Sequence, residues 1–158
     1  GFLNRLFCQK TLKPLLKEKT IRQINHTLTK KVGSVCGLHF QYPPHAEIKI
    51  VSCVKGKIWD VAVDLRKKSP TYGKKYTITL SEKNSTSLFI PAGFAHGFST
   101  LEDNTMFSYK CSGIYNKESE GSLMWNDTDL NIDWQIKNPI ISEKDQNSEL
   151  FTNFKTQF

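Results

Sequence analysis

The chain of 158 residues has the size of one ordinary domain and is too short for two, so a single domain over residues 1–158 is predicted. Its 38% hydrophobic content suits a globular protein, and no run approaches the roughly 18 apolar residues of a membrane helix, so a helical membrane protein is not expected. The net charge of +7 lies entirely in residues 1–31, which hold eight Lys or Arg against one Glu.

This basic N-terminal segment fits either a nucleic acid or a small phosphorylated ligand as partner. The segment also carries apolar residues, as a folded edge does, at Phe2, Leu3, Leu6, Phe7, Leu12, Leu15 and Leu16. A solvated face or a phosphorylated small ligand is therefore favoured over nucleic acid. The four cysteines are far apart and form no C-x-x-C pair, so free thiols and a cytoplasmic location are predicted.

In chain order, residues 11–20 predict one short helix with Pro14 in its first turn. From Ser34 onward the pattern is β, with short segments rich in Val, Ile, Phe, Thr or Tyr between Pro, Gly, Asn or Ser. The predicted strands cover residues 34–40, 47–54, 57–65, 76–80, 87–90, 97–101 and 105–111. This spacing predicts an all-β sandwich or barrel, over which residues 112–158 wrap as loops and short helical turns.

One hairpin is predicted in more detail, because Lys55-Gly56 suits a two-residue turn. That turn would pair Val51 with Asp60 and make Lys49 a diagonal neighbour of Asp60 on the same face. The opposite face of the second strand would be apolar, with Trp59, Val61, Val63 and Leu65.

Four polar residues stand among apolar neighbours on strand-like segments: His39, Lys49, Asp60 and His96. Such groups are costly to bury unless they are paired or used, so their concentration predicts a lined pocket. An imidazole is a base near neutral pH, and an ammonium stabilises a developing oxyanion, which together suit the removal of a proton beside a carbonyl. The chemistry indicated is enolisation, although one such histidine alone would be interpreted as a hydrogen-bonded core residue.

A metal site is the rival use of His39, His45 and His96, since three imidazoles on a β-barrel are a common ligand set. The spacing does not favour it, because no second histidine lies two residues after His39, and Lys49 would disfavour a divalent cation. His45 follows two prolines in a turn and is predicted to be exposed. No metal or other cofactor is expected.

Longer motifs carry a resemblance that covers nearly the whole chain. They are Gly37-Leu38-His39-Phe40-Gln41, Pro43-Pro44-His45-Ala46, Asp60-Val61-Ala62-Val63-Asp64-Leu65-Arg66, Pro91-Ala92-Gly93-Phe94-Ala95-His96-Gly97-Phe98, Tyr109-Lys110-Cys111, Gly121-Ser122-Leu123-Met124-Trp125-Asn126-Asp127 and Ser142-Glu143-Lys144-Asp145. In these motifs the chain closely resembles the dTDP-4-dehydrorhamnose 3,5-epimerase family.

The resemblance implies a cupin jelly-roll barrel, a homodimer with exchanged N-terminal strands, and metal-free epimerisation of a nucleotide-linked 4-keto-6-deoxy sugar at C3, C5 or both. It makes His39 the base and Asp145 the carboxylate that orients it. Lys49 corresponds to the lysine that stabilises the enolate, and Tyr109 to the tyrosine that returns a proton from the opposite face. These roles suit the chemistry, because inversion needs a base on one face of the carbon and a proton donor on the other.

The resemblance also implies residues for the rest of the pocket. They are a further pair, Asp60 and His96, and the substrate-binding candidates Gln23, Asn25, Gln41 and Lys144. Where the family has a phosphate-binding arginine, three residues before the base, this chain has Cys36, and a thiol cannot supply that bidentate, charged contact. Either the nucleotide is held differently or another basic residue substitutes, with Arg5, Arg22, Lys30 and Lys31 as candidates.

Two other interpretations remain at this stage. The chain could be a non-catalytic cupin that binds a sugar nucleotide, for which Cys36 is the hint, or a metal-dependent cupin enzyme. Ile114 and Tyr115 stand where family members commonly have two tyrosines, which bears on whether one carbon or both are inverted.

Overall fold

The computed structural model describes Gly1 and residues 3–158, and in that part of the chain ten strands, two short α-helices and two single 3-10 turns form. The helices are α1 (Gln9–Leu16) and α2 (Glu143–Gln146). The strands are β1 (Gln23–Thr29), β2 (Ser34–Gln41), β3 (Lys49–Lys55), β4 (Lys57–Asp64), β5 (Lys75–Ser81), β6 (Ser87–Ile90), β7 (Phe94–Thr100), β8 (Thr105–Cys111), β9 (Glu120–Ser122) and β10 (Ile140–Ile141).

Two sheets pack face to face. One has the order β1-β8-β3-β6, and the other has the order β10-β2-β7-β4-β5 with β9 added beside β2. The long strands pair antiparallel, and the two-residue β10 joins β2 in parallel. The predicted cupin jelly roll with short peripheral helices is confirmed, and all seven predicted strands are present within a few residues of their expected bounds.

Apolar side chains from both sheets meet between them. Val51, Ile58, Leu80 and Phe107 are buried there, and the rings of Phe98 and Phe107 lie with centroids 4.4 Å apart. Both rings also line the cavity described below, so this core forms the floor of the site.

The C-terminal third of the chain covers the outer face of the second sheet, as predicted. Val61, Val63 and Leu65 point outward from β4 and the segment after it, and pack against Leu123, Leu130, Trp134 and Phe154. Each fully buried aliphatic side chain of this kind contributes about 1.5–3 kcal/mol. This layer holds β4 and β7 in place behind the site.

The sequence analysis missed β1 because the apolar side chains of this strand face outward and its polar side chains face the interior. Its apolar Ile24 and Leu28 are exposed, while the polar Asn25 and Thr27 alternate with them and face the cavity. Polar side chains are normally expected to face solvent, so this alternation did not indicate a strand that lines a cavity. Pairing with β8 in full register makes this segment a strand.

The hairpin predicted at Lys55-Gly56 is wrong. β3 pairs with β6 and β8, whereas β4 pairs with β5 and β7 in the other sheet. Gly56 has φ +76°, and its missing Cβ would lie 2.6 Å from Thr105 Oγ1, so this glycine carries the chain across from one sheet to the other. Lys49 and Asp60 therefore belong to opposite sheets.

The N-terminal helix is also shifted from its prediction. It begins at Gln9, before the expected start at residue 11, so Pro14 is its sixth residue and not part of its first turn. It ends at Leu16 because Lys17 adopts φ +52°, which stops helical propagation before residue 20. Leu16 packs with Ile48 and Ile50 on the outer face of the first sheet.

In the described part of the chain, no helix has the length and apolar character needed to cross a membrane.

Candidate active site

A cavity of about 490 Å³ opens between the inner faces of the two sheets. Seven of the ten predicted site residues line it: Gln23, Asn25, His39, Gln41, Lys49, His96 and Tyr109. Asp60 and Asp145 lie directly behind it, and Lys144 lies at its rim. The fold thus brings together residues that are up to 122 positions apart in the sequence.

His39 and Asp145 form the closest polar contact of the site. His39 Nε2 lies 2.5 Å from Asp145 Oδ1, and Asp145 Oδ2 accepts a hydrogen bond of 3.4 Å from the backbone N–H of Gly37. Ser142 caps α2 by accepting from the Asp145 N–H, which fixes the carboxylate at the start of this helix. His39 is thereby oriented from behind, while its ring reaches the cavity with 23% of the side chain exposed.

The protonation of His39 is shifted strongly by these neighbours. Burial would lower its pKa, but the hydrogen bond to Asp145, together with the contact to Cys36, raises the pKa of His39 to about 9. Although burial acts in the opposite direction, the hydrogen bond from His39 holds the pKa of Asp145 below its ordinary value. At neutral pH the two groups form an imidazolium–carboxylate pair.

An irregularity in β2 sets the direction of these side chains. The pairing of β2 with β7 shifts register between Cys36 and His39, so that a β-bulge lies there. In a regular strand, residues three apart point to opposite faces. Because of the bulge, both Cys36 and His39 face the cavity, with Cys36 Sγ 3.9 Å from His39 Nδ1.

The opposite wall of the cavity carries Lys49 and Tyr109. Tyr109 on β8 is paired with Val51, two residues after Lys49, so the two side chains are diagonal neighbours on the inner face of the first sheet. Burial raises the pKa of Tyr109 above its ordinary value, so its phenol keeps its proton at neutral pH. His39 on the second sheet and Tyr109 on the first face each other across the cavity.

His96 and Asp60 form a second buried histidine–carboxylate pair. His96 Nε2 lies 3.0 and 3.1 Å from the two carboxylate oxygens of Asp60, which is completely buried. His96 is the cross-strand partner of His39. The buried Asp60 carboxylate thus holds the His96 ring in one orientation beside His39.

Gln41 lines the cavity, but its amide holds the neighbouring loop. Its oxygen accepts from the Asn116 N–H at 2.7 Å, and its nitrogen donates to the carbonyls of His45 and Ile114. His45 was predicted to be exposed, but it is half-buried. Its Nδ1 lies 2.8 Å from Ser119 Oγ.

An ion pair lies at the rim of the cavity. Lys144 Nζ lies 2.7 Å from Glu120 Oε1, and the Tyr115 hydroxyl donates to Glu120 Oε2 at 3.0 Å. Although burial acts against them, these contacts hold the pKa of Glu120 below its ordinary value. Tyr115 and Glu120 line the cavity, and the Tyr115 N–H donates to the side chain of Gln23.

The sequence analysis missed two carboxylates that line the cavity, Glu47 and Glu120. Glu47 lies 3.8 Å from the ammonium of Lys49, and burial raises its pKa above the ordinary value. Its spacing of two residues from Lys49 was the available signal, since that spacing favours a shared face. Glu120 carried no comparable signal, because it reaches the site only through the pairing of β9 with β2.

Known proteins match this chain along almost its whole length. The family model described as dTDP-4-dehydrorhamnose 3,5-epimerase matches residues 1–153. A dTDP-4-dehydrorhamnose 3,5-epimerase of Shigella flexneri is 43% identical over 154 residues, which cover 97% of this chain and 84% of the relative.

Solved structures agree with the sequence comparison. The crystal structure of a dTDP-4-dehydrorhamnose 3,5-epimerase from Elizabethkingia anophelis superposes with a TM-score of 0.92 at 45% identity and covers 97% of this chain and 85% of that one. A dTDP-6-deoxy-D-glucose-3,5-epimerase from Legionella pneumophila, in complex with dTDP-4-keto-L-rhamnose, has a TM-score of 0.92 at 36% identity and covers 98% and 82%.

Proposed function

Because the chain belongs to the dTDP-4-dehydrorhamnose 3,5-epimerase family and is an isomerase, we propose that it inverts C3, C5 or both in a nucleotide-linked 4-keto-6-deoxyhexose. The nucleotide we propose is dTDP, which the Legionella pneumophila neighbour holds as part of its bound sugar nucleotide. The ketone at C4 acidifies both neighbouring carbons, so the reaction proceeds by removal of a proton from one face and its return to the other.

The observation that carries this proposal is the placement of His39 and Tyr109 on opposite walls of one cavity. A sugar between them presents one face of its ring to the imidazole and the other to the phenol. His39 removes the proton next to the ketone, and Tyr109, which remains protonated near neutral pH, donates a proton from the other side.

Asp145 and Lys49 stabilise the charged groups that form during this reaction. Asp145 holds the His39 ring by the 2.5 Å contact and stabilises the imidazolium that forms when the base takes the proton. Lys49 lies beside Tyr109 and binds the C4 oxygen, where negative charge develops in the enolate. The Asp60–His96 pair fixes the wall next to the base.

The remaining predicted residues take two kinds of role in this proposal. Gln23 and Asn25 face the cavity from β1 and bind the nucleotide part of the substrate. Gln41 and Lys144 act through neighbours, because Gln41 anchors the loop at Asn116 and Lys144 is paired with Glu120. These two residues position the wall and rim of the cavity.

The turn between β1 and β2 offers a replacement for the arginine that Cys36 displaces. Thr29 and Ser34, on either side of this turn, line the cavity. The turn contains Lys30 and Lys31, both exposed and able to reach a bound pyrophosphate as point charges. We propose these two lysines as phosphate contacts.

The assembly proposed is a homodimer built on β1. This edge strand exposes Ile24 and Leu28 on its outer face, and apolar side chains in the preceding segment are exposed as well. All four cysteines are free, which supports a reducing compartment such as the cytoplasm.

The experiment that tests the function is deuterium incorporation from heavy water into dTDP-4-keto-6-deoxyglucose, followed by NMR at C3 and C5. GDP and CDP counterparts are assayed in parallel to establish the nucleotide. Exchange at both carbons of the dTDP sugar is expected of a 3,5-epimerase, and exchange at one would make it monofunctional. Absence of exchange with all three would contradict the proposal and favour a non-catalytic sugar-nucleotide-binding cupin.

His39→Ala tests whether His39, and not another histidine, is the base. We expect a loss of exchange of about 10²–10⁴-fold, because general-base catalysis contributes on that order. His45→Ala is the matched control, since the His45 imidazole contacts Ser119 outside the cavity lining and should retain wild-type exchange. Exchange at the wild-type rate in the His39 variant would remove this residue as the base.

A further inference from the structure

A carboxylate to which the proposed reaction gives no role is buried beside Lys49. Glu47, two residues before β3, lines the cavity with 9% of its side chain exposed. Its Oε1 lies 3.8 Å from the ammonium of Lys49, the proposed ligand of the C4 oxygen. A carboxylate is costly to bury unless it is paired or used, so its place on the cavity wall indicates that it serves the groups around it.

The segment after β8 holds Glu47 in place. The Ser112 N–H donates to the Ile48 carbonyl at 3.0 Å, and Ser112 Oγ accepts from the Ile48 N–H at 2.9 Å. The next residue, Gly113, donates its N–H to the Glu47 carboxylate. A Cβ at Gly113 would lie 3.0 Å from Glu47 Oε2, so the glycine permits this close approach. The carboxylate is therefore fixed before any substrate binds.

The groups around Glu47 favour its ionised form. Burial raises the pKa of Glu47 above its ordinary value, while the Lys49 ammonium, the Cys111 thiol and the Gly113 N–H act to lower it. Cys111 is the cross-strand partner of Lys49, so the thiol and the ammonium approach the carboxylate from neighbouring strands. Glu47 and Lys49 thus form a charged pair on the same wall as Tyr109.

The separation within this pair leaves the ammonium available to a ligand. Charge-assisted N–H···O bonds are about 2.7–2.9 Å long, so Glu47 at 3.8 Å attracts Lys49 without occupying its protons. Among the residues that the structure describes, Lys49 Nζ makes no hydrogen bond and has no second ion-pair partner. Glu47 therefore sets the direction of the ammonium, while the N–H donors of Lys49 stay free for an oxygen atom in the cavity.

We propose that Glu47 is a positioning residue for Lys49, and that its carboxylate holds the ammonium where the C4 oxygen of the substrate gains negative charge. Glu47 itself touches no reacting atom and acts through Lys49. This inference rests on the proposed function, because Lys49 has its role in that reaction. A donor that is aligned in advance needs no reorganisation when charge develops, so the effect of Glu47 falls on kcat more than on KM.

A double-mutant cycle separates positioning from a structural role. Glu47→Gln keeps the shape of the side chain and removes its charge, so kcat for dTDP-4-keto-6-deoxyglucose should fall about tenfold, with KM within about twofold. Lys49→Met should lower kcat about 10²–10³-fold, the usual effect of losing one donor to an oxyanion. Added to Lys49→Met, Glu47→Gln should change kcat less than about twofold, because Lys49 is already gone. An unchanged kcat in Glu47→Gln, or losses that multiply in the double variant, would overturn the positioning role.

Glu118→Gln is the matched control for charge. Glu118 is exposed in the turn at residues 117–119 and does not line the cavity, so kcat and KM should keep their wild-type values. If Glu47→Gln does not fold, Glu47→Asp takes its place in the cycle, because it keeps the charge but withdraws it from Lys49. The same loss of kcat that disappears in the Lys49→Met background is expected, and a loss that persists there would overturn the proposal.

The pairing is also measured without substrate, which makes this readout independent of the proposed function. In ¹⁵N NMR of the lysine ammonium groups, the wild type should show a slowly exchanging Lys49 signal, assigned by its loss in Lys49→Met. Glu47→Gln should abolish this signal and Glu118→Gln should retain it; a Lys49 signal that is unchanged in Glu47→Gln would overturn the inference. If the wild type shows the signal but neither exchange nor turnover, the proposed function fails and the positioning role falls with it, whereas the Glu47–Lys49 pair stands.

Discussion

His39 holds its proton more tightly than an ordinary histidine, because the Asp145 carboxylate and the Cys36 thiol both face its ring. With the pKa of His39 raised to about 9, roughly one molecule in a hundred carries the neutral base at pH 7. The neutral form of His39, which is the proposed base, is thus a strong base but a minor form in the free protein. Its activity should depend steeply on pH in a range where most histidine enzymes have levelled off.

The Asp145→Asn variant tests this dependence. For the wild type, kcat/KM should rise about tenfold per pH unit below the pKa of His39 and level off above about pH 9. Without the carboxylate, burial dominates and lowers the pKa of His39, so the midpoint of the profile should move to lower pH, with a plateau about 10²–10⁴-fold lower. Rates measured from pH 5.5 to 10 check both effects, and an unmoved midpoint would contradict the pairing.

Tyr109→Phe separates the two proton transfers. The phenyl ring keeps the packing with Phe107 but has no proton to donate. Inversion should fall by about 10²-fold or more, while deuterium exchange, which needs only His39 and solvent, should fall much less. NMR measures exchange and inversion in the same sample, and parallel losses of both would count against Tyr109 as the donor.

At the scale of elements, the bulge in β2 turns both Cys36 and His39 toward the cavity. Gly37 has φ +114°, and a Cβ there would lie 2.6 Å from Gly97 Cα and 2.7 Å from the His96 carbonyl oxygen. Both contacts are with backbone, so a side chain at this position forces β2 and β7 apart. The position of His39 relative to His96 depends on that close approach.

Gly37→Ala should therefore lower the free energy of unfolding by at least about 2 kcal/mol and also lower kcat, because the base is displaced. Urea unfolding and turnover of the folded fraction measure the two effects. Gly73→Ala is the matched control, since Gly73 has φ +72° but a Cβ there would meet the Phe151 ring, away from the cavity. It should lose stability and keep kcat; equal kcat losses in both variants would refute the argument.

At the scale of the whole molecule, the outer face of β1 supports the proposed dimer. Leu28 is 52% exposed on this edge strand, an unusual position for a leucine unless another surface covers it. Light scattering should give about twice the chain mass of 18.1 kDa, and Leu28→Lys should shift the mass toward one chain, because a charge enters the interface.

Tyr76→Lys is the control for this substitution. Tyr76 is 55% exposed on β5, the edge strand of the other sheet, so the same change there should leave the dimer intact. A wild-type protein that stays at one chain mass at high concentration would exclude the dimer.

Much of the fold could be predicted because its strands follow local rules. The runs of Val, Ile, Phe, Thr and Tyr and the breakers between them placed seven strands, since both signals are visible in neighbouring residues. The chemistry was also visible locally, because His39, Lys49 and Asp60 are costly to bury in strands without a use. Tyr109 and Asp145 were selected by the family resemblance and not by their local pattern.

By itself, then, the sequence determined seven of the ten strands in the described residues and the identity of the polar residues on them. Only the tertiary structure decided which sheet each strand joins, so that Lys49 and Asp60 lie in opposite sheets and Glu120 enters the cavity. Strand partners are chosen by long-range hydrogen bonding, and a single bulge reverses the facing of Cys36. Neither the choice of strand partners nor the bulge can be recognised from neighbouring residues in the sequence, because both depend on segments far apart in the chain.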